Sequence, residues 1–357
     1  MKLCLSKSGI QHSIYILPVL LSLCIGFLPA CVAGQNGDSL LSYGMLKKMS
    51  LQQLMRIEIT SVSKTPEKLT AAASAVQVIT GEDIRRSGAT TIPEALRLAT
   101  NLQVAKVNAS QWAISARGFN NVLADKLLVL IDGRTVYTPL YAGVYWDVQN
   151  VLLEDVDRIE VISGPGGTLW GANAVNGVIN IITKSTKETK GLFVQGGAGN
   201  RTPWSGNLRY GGKIGENMNY RVYGTGFKQA GTGLVKGPVA NDDWTLGQGG
   251  FRFDWAAGRN DQLTLQSDFY DGFPNPDGST PVVTIGGNVL GRWTHRISAK
   301  SDFRIQAYYD QTWRDLLNGF TENLKTTDID WHDRLQCGKQ QELIWRGDIR
   351  LLADKMQ

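Results

Sequence analysis

The chain of 357 residues has room for two ordinary domains, and its 40 Gly, 10 Trp, 11 Tyr and 10 Phe against only 19% charged residues describe turns and aromatic-bearing strands rather than a helical cytosolic enzyme. A formal charge of +5 with no dense basic block excludes a nucleic-acid partner. His12, His295 and His332 are scattered, no Cys/His pair has zinc spacing, and no nucleophile, base and orienting group occur together, so no metal site, cofactor or catalysis is expected.

Residues 1–33 read as an export signal: Lys2 and Lys7 precede an apolar run from Ile14 to Leu28, and Ala30-Cys31-Val32-Ala33-Gly34 supplies the small residues of a cleavage site after Ala33. The run is too short to span a bilayer comfortably. The competing reading is a lipoprotein signal, with Leu28-Pro29-Ala30-Cys31 placing Cys31 for lipid attachment, although Pro29 fits that pattern poorly. Cys4, Cys24 and Cys31 lie in or at the signal, so an exported chain keeps Cys337 alone and no disulfide framework. No later run approaches the ~20 apolar residues of a membrane helix, so any membrane crossing must use strands.

From about Val76 to Thr183 short helices and strands alternate, predicting a compact α+β domain. Thr80-Gly81-Glu82-Asp83 has the form of a capping box, and Ser87-Gly88 closes the helix it opens. Thr91-Ile92-Pro93-Glu94 opens a second helix, with Pro93 in the first turn where its missing N–H costs little; this helix should run through Leu98 and stop near Asn101. Strands are expected at Leu102 to Lys106, Leu127 to Ile131, Arg134 to Tyr137, Arg158 to Ile162 and Val178 to Thr183, with a tight turn at Asp132-Gly133.

After Lys184 the helix caps disappear and period two takes over. Leu263, Leu265 and Phe269 alternate with Thr264, Gln266, Asp268 and Tyr270. Phe303, Ile305, Ala307, Tyr309 and Trp313 alternate in the same way with Arg304, Gln306, Tyr308, Asp310 and Thr312. A soluble sandwich also alternates. The connections favour a transmembrane barrel, because short turns such as Gly215-Glu216-Asn217 contrast with long polar stretches at Gln229 to Asp243 and Gly272 to Gly286. About eight strands are expected from Leu192 onward.

The most informative stretch runs from Ile159-Glu160-Val161-Ile162-Ser163-Gly164-Pro165-Gly166-Gly167 through Trp170-Gly171-Ala172-Asn173 to Asn176-Gly177-Val178-Ile179-Asn180. Its glycines permit a backbone excursion that side chains would block. A phosphate loop would need Lys-Ser/Thr and a following helix, whereas Thr168-Leu169-Trp170 stands there. Together with Trp112 to Phe119, which contains Arg117-Gly118, and with Leu127 to Arg134, which contains Asp132-Gly133, this stretch closely resembles the plug domain of TonB-dependent outer-membrane receptors. The resemblance covers roughly Ile57 to Lys184.

That resemblance implies an α+β plug followed by antiparallel transmembrane β-barrel strands, with residues 1–33 a signal peptide, 34–62 a periplasmic segment, 63–185 the plug and 186–357 the N-terminal part of a barrel. It makes Ile57, Glu58, Ile59, Thr60, Ser61 and Val62 the TonB box, a strand to be captured by strand addition; the alternative is the plug's own first edge strand. Arg117 and Glu160 are expected to dock the plug to the barrel wall, and Gly118, Asp132, Gly133, Gly164, Pro165, Gly171, Asn173, Asn176 and Gly177 to form the plug's structural motifs. Trp112, Tyr137, Tyr141, Tyr145 and Trp146 are expected to face the ligand. Two positions depart from the family pattern. Ser163 stands where a basic residue is usual, which removes one expected plug-to-barrel ion pair. Thr100-Asn101 replaces Pro-Gly, and Asn101 is expected to keep the turn because Asn tolerates the left-handed conformation.

The function implied is energy-coupled uptake of a ferric siderophore or similar iron complex by a monomer in the Gram-negative outer membrane. Its partners would be TonB with the inner-membrane energy-coupling complex, outer-membrane lipid and the ligand. A corrinoid of the cobalamin type is the alternative ligand, and a non-transporting surface binding protein the alternative role. A plugged barrel of 22 strands needs several hundred residues after its plug. The chain is therefore expected to be a fragment of such a receptor.

Overall fold

A computed structural model describes residues 58–59, 67–68, 75–118, 120–122, 126–139, 142–164, 170, 173–233, 239–275, 282–316, 319–338 and 341–357, all within one compact unit, Met55–Gln357. The export signal, box residues Ile57, Thr60, Ser61 and Val62, and Tyr141, Pro165 and Gly171 lie outside the described residues. No described helix is long and apolar enough to cross a membrane.

The plug is built on a five-stranded sheet. Strand β3 (Ala75–Thr80) leads into α1 (Gly81–Ser87) and α2 (Ile92–Leu96); a hairpin of β4 (Gln103–Lys106) and β5 (Trp112–Ser115) stands apart, and β6 (Leu127–Ile131), β7 (Arg134–Thr135), β8 (Val156–Ser163) and β9 (Gly177–Thr183) complete the sheet in the order β3-β8-β9-β6-β7. Among the described residues only β6 and β9 pair in parallel. Central strands covered on both faces read as unbroken apolar runs, as Leu127 to Ile131 does. Leu127, Val129 and Ile131 join Ile79, Ile159, Val161, Ile179 and Ile181 under Ile84 of α1 and Ile92 and Leu96 of α2. Leu128 and Leu130 meet Ile162, Ala174 and Val178 on the other face.

The caps form as their chemistry requires. Thr80 Oγ1 accepts from Asp83 N at 3.1 Å while Thr80 N donates to the Asp83 carboxylate at 3.0 Å, and Gly88 closes α1 at φ 71°. Helix α2 is shorter than expected. After Leu96 the amides of Leu98 and Ala99 bond three residues back, to Ala95 and Leu96, a tightening that ends the α-helix before Asn101. Strand β5 was not anticipated. It has four residues, all buried, and so carries no alternation.

The second part is a nine-stranded antiparallel wall: β10 (Gly191–Gly197), β11 (Trp204–Ile214), β12 (Met218–Gln229), β13 (Trp244–Ala256), β14 (Asp261–Pro274), β15 (Val282–Ser298), β16 (Ser301–Leu316), β17 (Thr321–Cys337) and β18 (Gln341–Met356), each paired with its neighbours in sequence. Nine strands form where eight were expected, and the hairpin turn with the weakest signal is Ala299-Lys300, which has neither Gly nor Pro. Connections of two to four residues join the strands at one end, and connections of up to fourteen residues join them at the other. In the stretch from Gly272 to Gly286, expected as a long connection, β14 runs to Pro274 and β15 begins at Val282.

The direction of the alternation separates this wall from a soluble sandwich. Leu263, Leu265, Phe269 and Phe273 of β14 point away from the plug, Phe269 at 62% exposure, whereas Tyr270 between them is 8% exposed. Arg209, Arg221, Arg252, Gln248, Asn288, Gln306 and Arg314 are buried on the inner side. Apolar outside and polar inside is the pattern of strands bathed in lipid. Trp255, Trp293 and Trp345 are exposed toward the short-turn end, where an interfacial aromatic belt belongs.

Candidate functional site

The seam between plug and wall is made of charge. The Asp132-Gly133 turn has both residues at positive φ, 51° and 86°, as a two-residue hairpin of this hand requires. Its glycine lies against the wall: a Cβ there would sit 2.9 Å from Gln306 Nε2. The Asp132 carboxylate accepts from Thr183 N and Thr183 Oγ1, each at 2.8 Å, and from Gln266 Nε2 of the wall at 3.2 Å. Arg252 Nη1 stands 3.8 Å from it, and Arg292 donates to the Asp132 carbonyl. Burial would raise the Asp132 pKa, but the Arg252 charge and the two Thr183 bonds outweigh it and hold the carboxyl below its ordinary value.

Around this centre Arg209 pairs with buried Asp155, and Arg221 Nε lies 3.5 Å from the same carboxylate. Arg221 also donates to the Lys184 carbonyl at 2.6 Å and to Thr183 Oγ1 at 2.9 Å. Arg134 of the plug pairs with Asp310 of the wall. Arg350 Nη2 donates to Thr135 Oγ1 at 3.1 Å while its Nε pairs with Asp328 at 2.7 Å. Where the chain leaves the plug, Asp254 accepts from the amide and hydroxyl of Thr186, both at 2.9 Å.

Toward the long-loop end, the β4–β5 tip is folded on Asn108, whose side-chain oxygen accepts from Ser110 N at 3.0 Å and Gln111 N at 2.7 Å. Ala109 N donates to Asp242, just before β13, at 3.0 Å, and Ala109 packs with Leu246 and the edge-to-face pair Phe227 and Trp244. Arg314 grips Asp147 through two bonds of 2.8 and 3.1 Å and lies over the Tyr145 ring at 4.1 Å. Among the described residues no group of His, Cys, Asp or Glu is placed to hold a metal ion.

The expected site residues are distributed unevenly over this geometry. Trp112 and Trp146, expected to face a ligand, are 2% and 4% exposed and belong to the plug core; Tyr137 and Tyr145 are half-buried. Glu160 is fully buried and accepts from Arg158 Nε at 2.7 Å within its own strand. Arg117 is exposed, at φ 60°, with its guanidinium 3.4 Å from where a Cβ on Gly164 would stand, so Arg117-Gly118 and Gly164 meet in space. Asn176 accepts from Gly164 N and donates to the Lys126 carbonyl, both at 3.1 Å; Gly177 pairs with Leu127 and Ser163, and Asn173 is half-buried. Glu58 and Ile59 form β1, which pairs with β2 (Glu67–Lys68) in a two-residue antiparallel ladder. Sequence reasoning missed Asp147, Asp155, Thr183 and the wall arginines as seam residues. One signal was available: Arg252 and Arg314 fall on the inward positions of alternating strands.

The TonB-dependent Receptor Plug Domain family matches residues 68–178. The vitamin B12 transporter BtuB of Vibrio cholerae serotype O1 is 30% identical over 164 residues, covering 46% of this chain and 26% of that protein. The ferric enterobactin receptor of Pseudomonas aeruginosa is 29% identical over 255 residues, covering 65% and 30%. Among solved structures, P. aeruginosa FpvA bound to a heterologous pyoverdine with iron superposes with a TM-score of 0.68 at 14% identity, over 84% of this chain and 45% of that one. The chain thus spans less than half the length of each of these three proteins.

Proposed function

We propose that this chain, whose residues 68–178 match the TonB-dependent Receptor Plug Domain family and whose plug packs against antiparallel wall strands, is part of a TonB-dependent receptor that takes up a ferric siderophore or similar iron complex across the outer membrane. The observation carrying the proposal is the seam. Asp132, Asp147 and Asp155 hold the plug to a polar wall through Arg252, Arg314, Arg209 and Arg221, contacts that water can replace one by one, whereas a continuous apolar core could not part without large exposure of apolar surface. A plug so held closes the lumen at rest and can shift under load.

In this reading Ile57 to Val62 are the TonB box, and TonB draws on the inner-membrane proton gradient to move the plug after ligand has bound at the long-loop end. Arg117 and Glu160 act behind the seam, Glu160 through Arg158 and Arg117 through the Gly164 turn, to keep the plug's docking face in shape. No chemistry is done on the ligand. A corrinoid ligand is the second reading, supported by the 30% identity to the V. cholerae vitamin B12 transporter.

The test is uptake in iron-starved cells of radiolabelled iron chelates and of labelled cyanocobalamin, with and without TonB. Replacing Ile59 by Pro removes a ladder donor and restricts the preceding residue. Expected is loss of TonB-dependent uptake with ligand binding retained; uptake unchanged in I59P would remove the box from this segment and leave a surface binding role.

A further inference from the structure

Arg209, Arg221, Arg252, Arg292 and Arg304 form a row across the inner face of the wall, on β11, β12, β13, β15 and β16. Arg221 stands directly opposite Arg252, and Arg209 is opposite Tyr223, two residues from Arg221. Arg252 is opposite Gln266 of β14, which is opposite Leu290, two residues from Arg292. Arg292 is opposite Gln306, two residues from Arg304. Each step is level or moves toward the short-turn end, so the row runs down the wall as it crosses the strands.

The seated plug covers most of this row. Asp155 takes Arg209 and Arg221, Asp132 stands against Arg252, and the Asp132 carbonyl accepts from Arg292. Arg304 differs. Its Nη2 donates to Gln306 Oε1 at 3.3 Å, an atom that Arg292 Nε also takes at 2.8 Å, and among the described residues it bonds no plug group and forms no ion pair. Two guanidinium groups thus share one neutral acceptor, and Asp302, two residues from Arg304, is held by Arg334. Among the described residues the wall carboxylate in contact with the row is Asp254, 3.1 Å from Arg252. Like charges opposite each other destabilise a sheet, so a row of cations with so little wall acid needs anions on its open side. The plug supplies them while it is seated; a shifted plug takes Asp132 and Asp155 with it and bares the row.

We infer that the row is a rail along which an anionic chelate passes once the plug has shifted, Asp132 and Asp155 holding at rest the places that the chelate's oxygens take in transit. The inference rests on the uptake reading above and gives its cargo a charge class. The guanidinium fork suits carboxylate-like oxygen pairs, and several sites in succession let a bound ion move on where a single strong site would trap it. Arg304 separates this role from plug docking, because an arginine that only docks the plug has to touch it.

The test uses cells carrying the whole receptor as wild type, Arg304→Gln or Arg304→Lys, with Arg292→Gln and Arg292→Lys as a second site judged by the same criteria if R304Q does not assemble. Binding is measured in energy-depleted cells and initial TonB-dependent uptake in energised ones, for two anionic cargoes, radiolabelled ferric tris-catecholate and ferric citrate, and two neutral ones, ferric trihydroxamate and cyanocobalamin; heat-modifiable receptor in outer membranes reports assembly. The expected result is that R304Q slows uptake of an anionic chelate about tenfold, as for loss of one contact to a charged group, while binding is unchanged and R304K keeps the rate. Unchanged anionic uptake in assembled R304Q overturns the inference. An equal loss in R304K, in binding, or for a neutral cargo overturns it in favour of packing. Uptake of neutral cargoes alone overturns it while transport stands, and TonB-dependent uptake of none of the four removes both.

Discussion

At the scale of single residues, the two departures from the family pattern meet. Asn101 Nδ2 donates to Ser163 Oγ at 2.5 Å, so the serine that replaces an expected basic residue is used by the asparagine that replaces an expected glycine. Asn101 does this without the left-handed conformation, since it is absent from the positive-φ residues; the turn is held by Thr100, whose amide and hydroxyl both donate to Gln77 of β3. A double-mutant cycle of Asn101→Ala and Ser163→Ala, read by denaturant unfolding, should give a coupling of about 1 kcal/mol; additive effects would show the contact to be incidental. The Asp132-Gly133 turn was legible because few residue pairs accept two positive φ angles. The seam role of Asp132 was not, because its partners Thr183, Arg252 and Gln266 are 51 to 134 residues away, and no local pattern encodes such distances.

At the scale of elements, period two told which residues share a face, and the contrast in connection length told which environment each face meets. The strand reading therefore carried from sequence to structure for β14 and β16, while the four-residue β5 had no room to alternate. The same alternation sets the cost of substitution. Arg at Leu265, 45% exposed on the outer face of β14, should destabilise the wall in lipid vesicles by about 2–4 kcal/mol, measured by urea unfolding. The equivalent change to Arg at Ile214, 48% exposed beside the β11 turn, should cost under about 1 kcal/mol, and equal costs at the two sites would contradict lipid contact at Leu265.

At the scale of the whole molecule, pH reaches the seam through Asp132. Its carboxyl lies below the ordinary 3.8, so the folded state binds this proton less well than the unfolded chain; the stabilisation is fully present above that value and is lost as pH falls through the folded one. The melting temperature of the purified receptor should therefore fall as pH drops below about 4. Asp132→Asn should lower it at pH 6, by an amount corresponding to about 3 kcal/mol for an unbalanced buried pair, and flatten part of the acid slope. An acid slope identical in D132N and wild type would take Asp132 out of the pH response.

The register of the plug sheet also fixes how it yields to force. Ala75, where the chain enters β3, pairs with Ser163, which pairs with Gly177 at the end of β9 opposite Thr183. The sheet's exit is bolted to the wall through Thr186 and Arg221, and β3 is an edge strand with β8 as its partner. Tension on the chain before Ala75, directed back toward the anchored end, would peel β3 from Ala75 to Thr80 one pair at a time instead of shearing its six pairs together. Peeling needs far less force than shear for the same number of bonds, so the plug is mechanically weak at its entry and strong at its exit. A pull would open it from one side and leave it tethered.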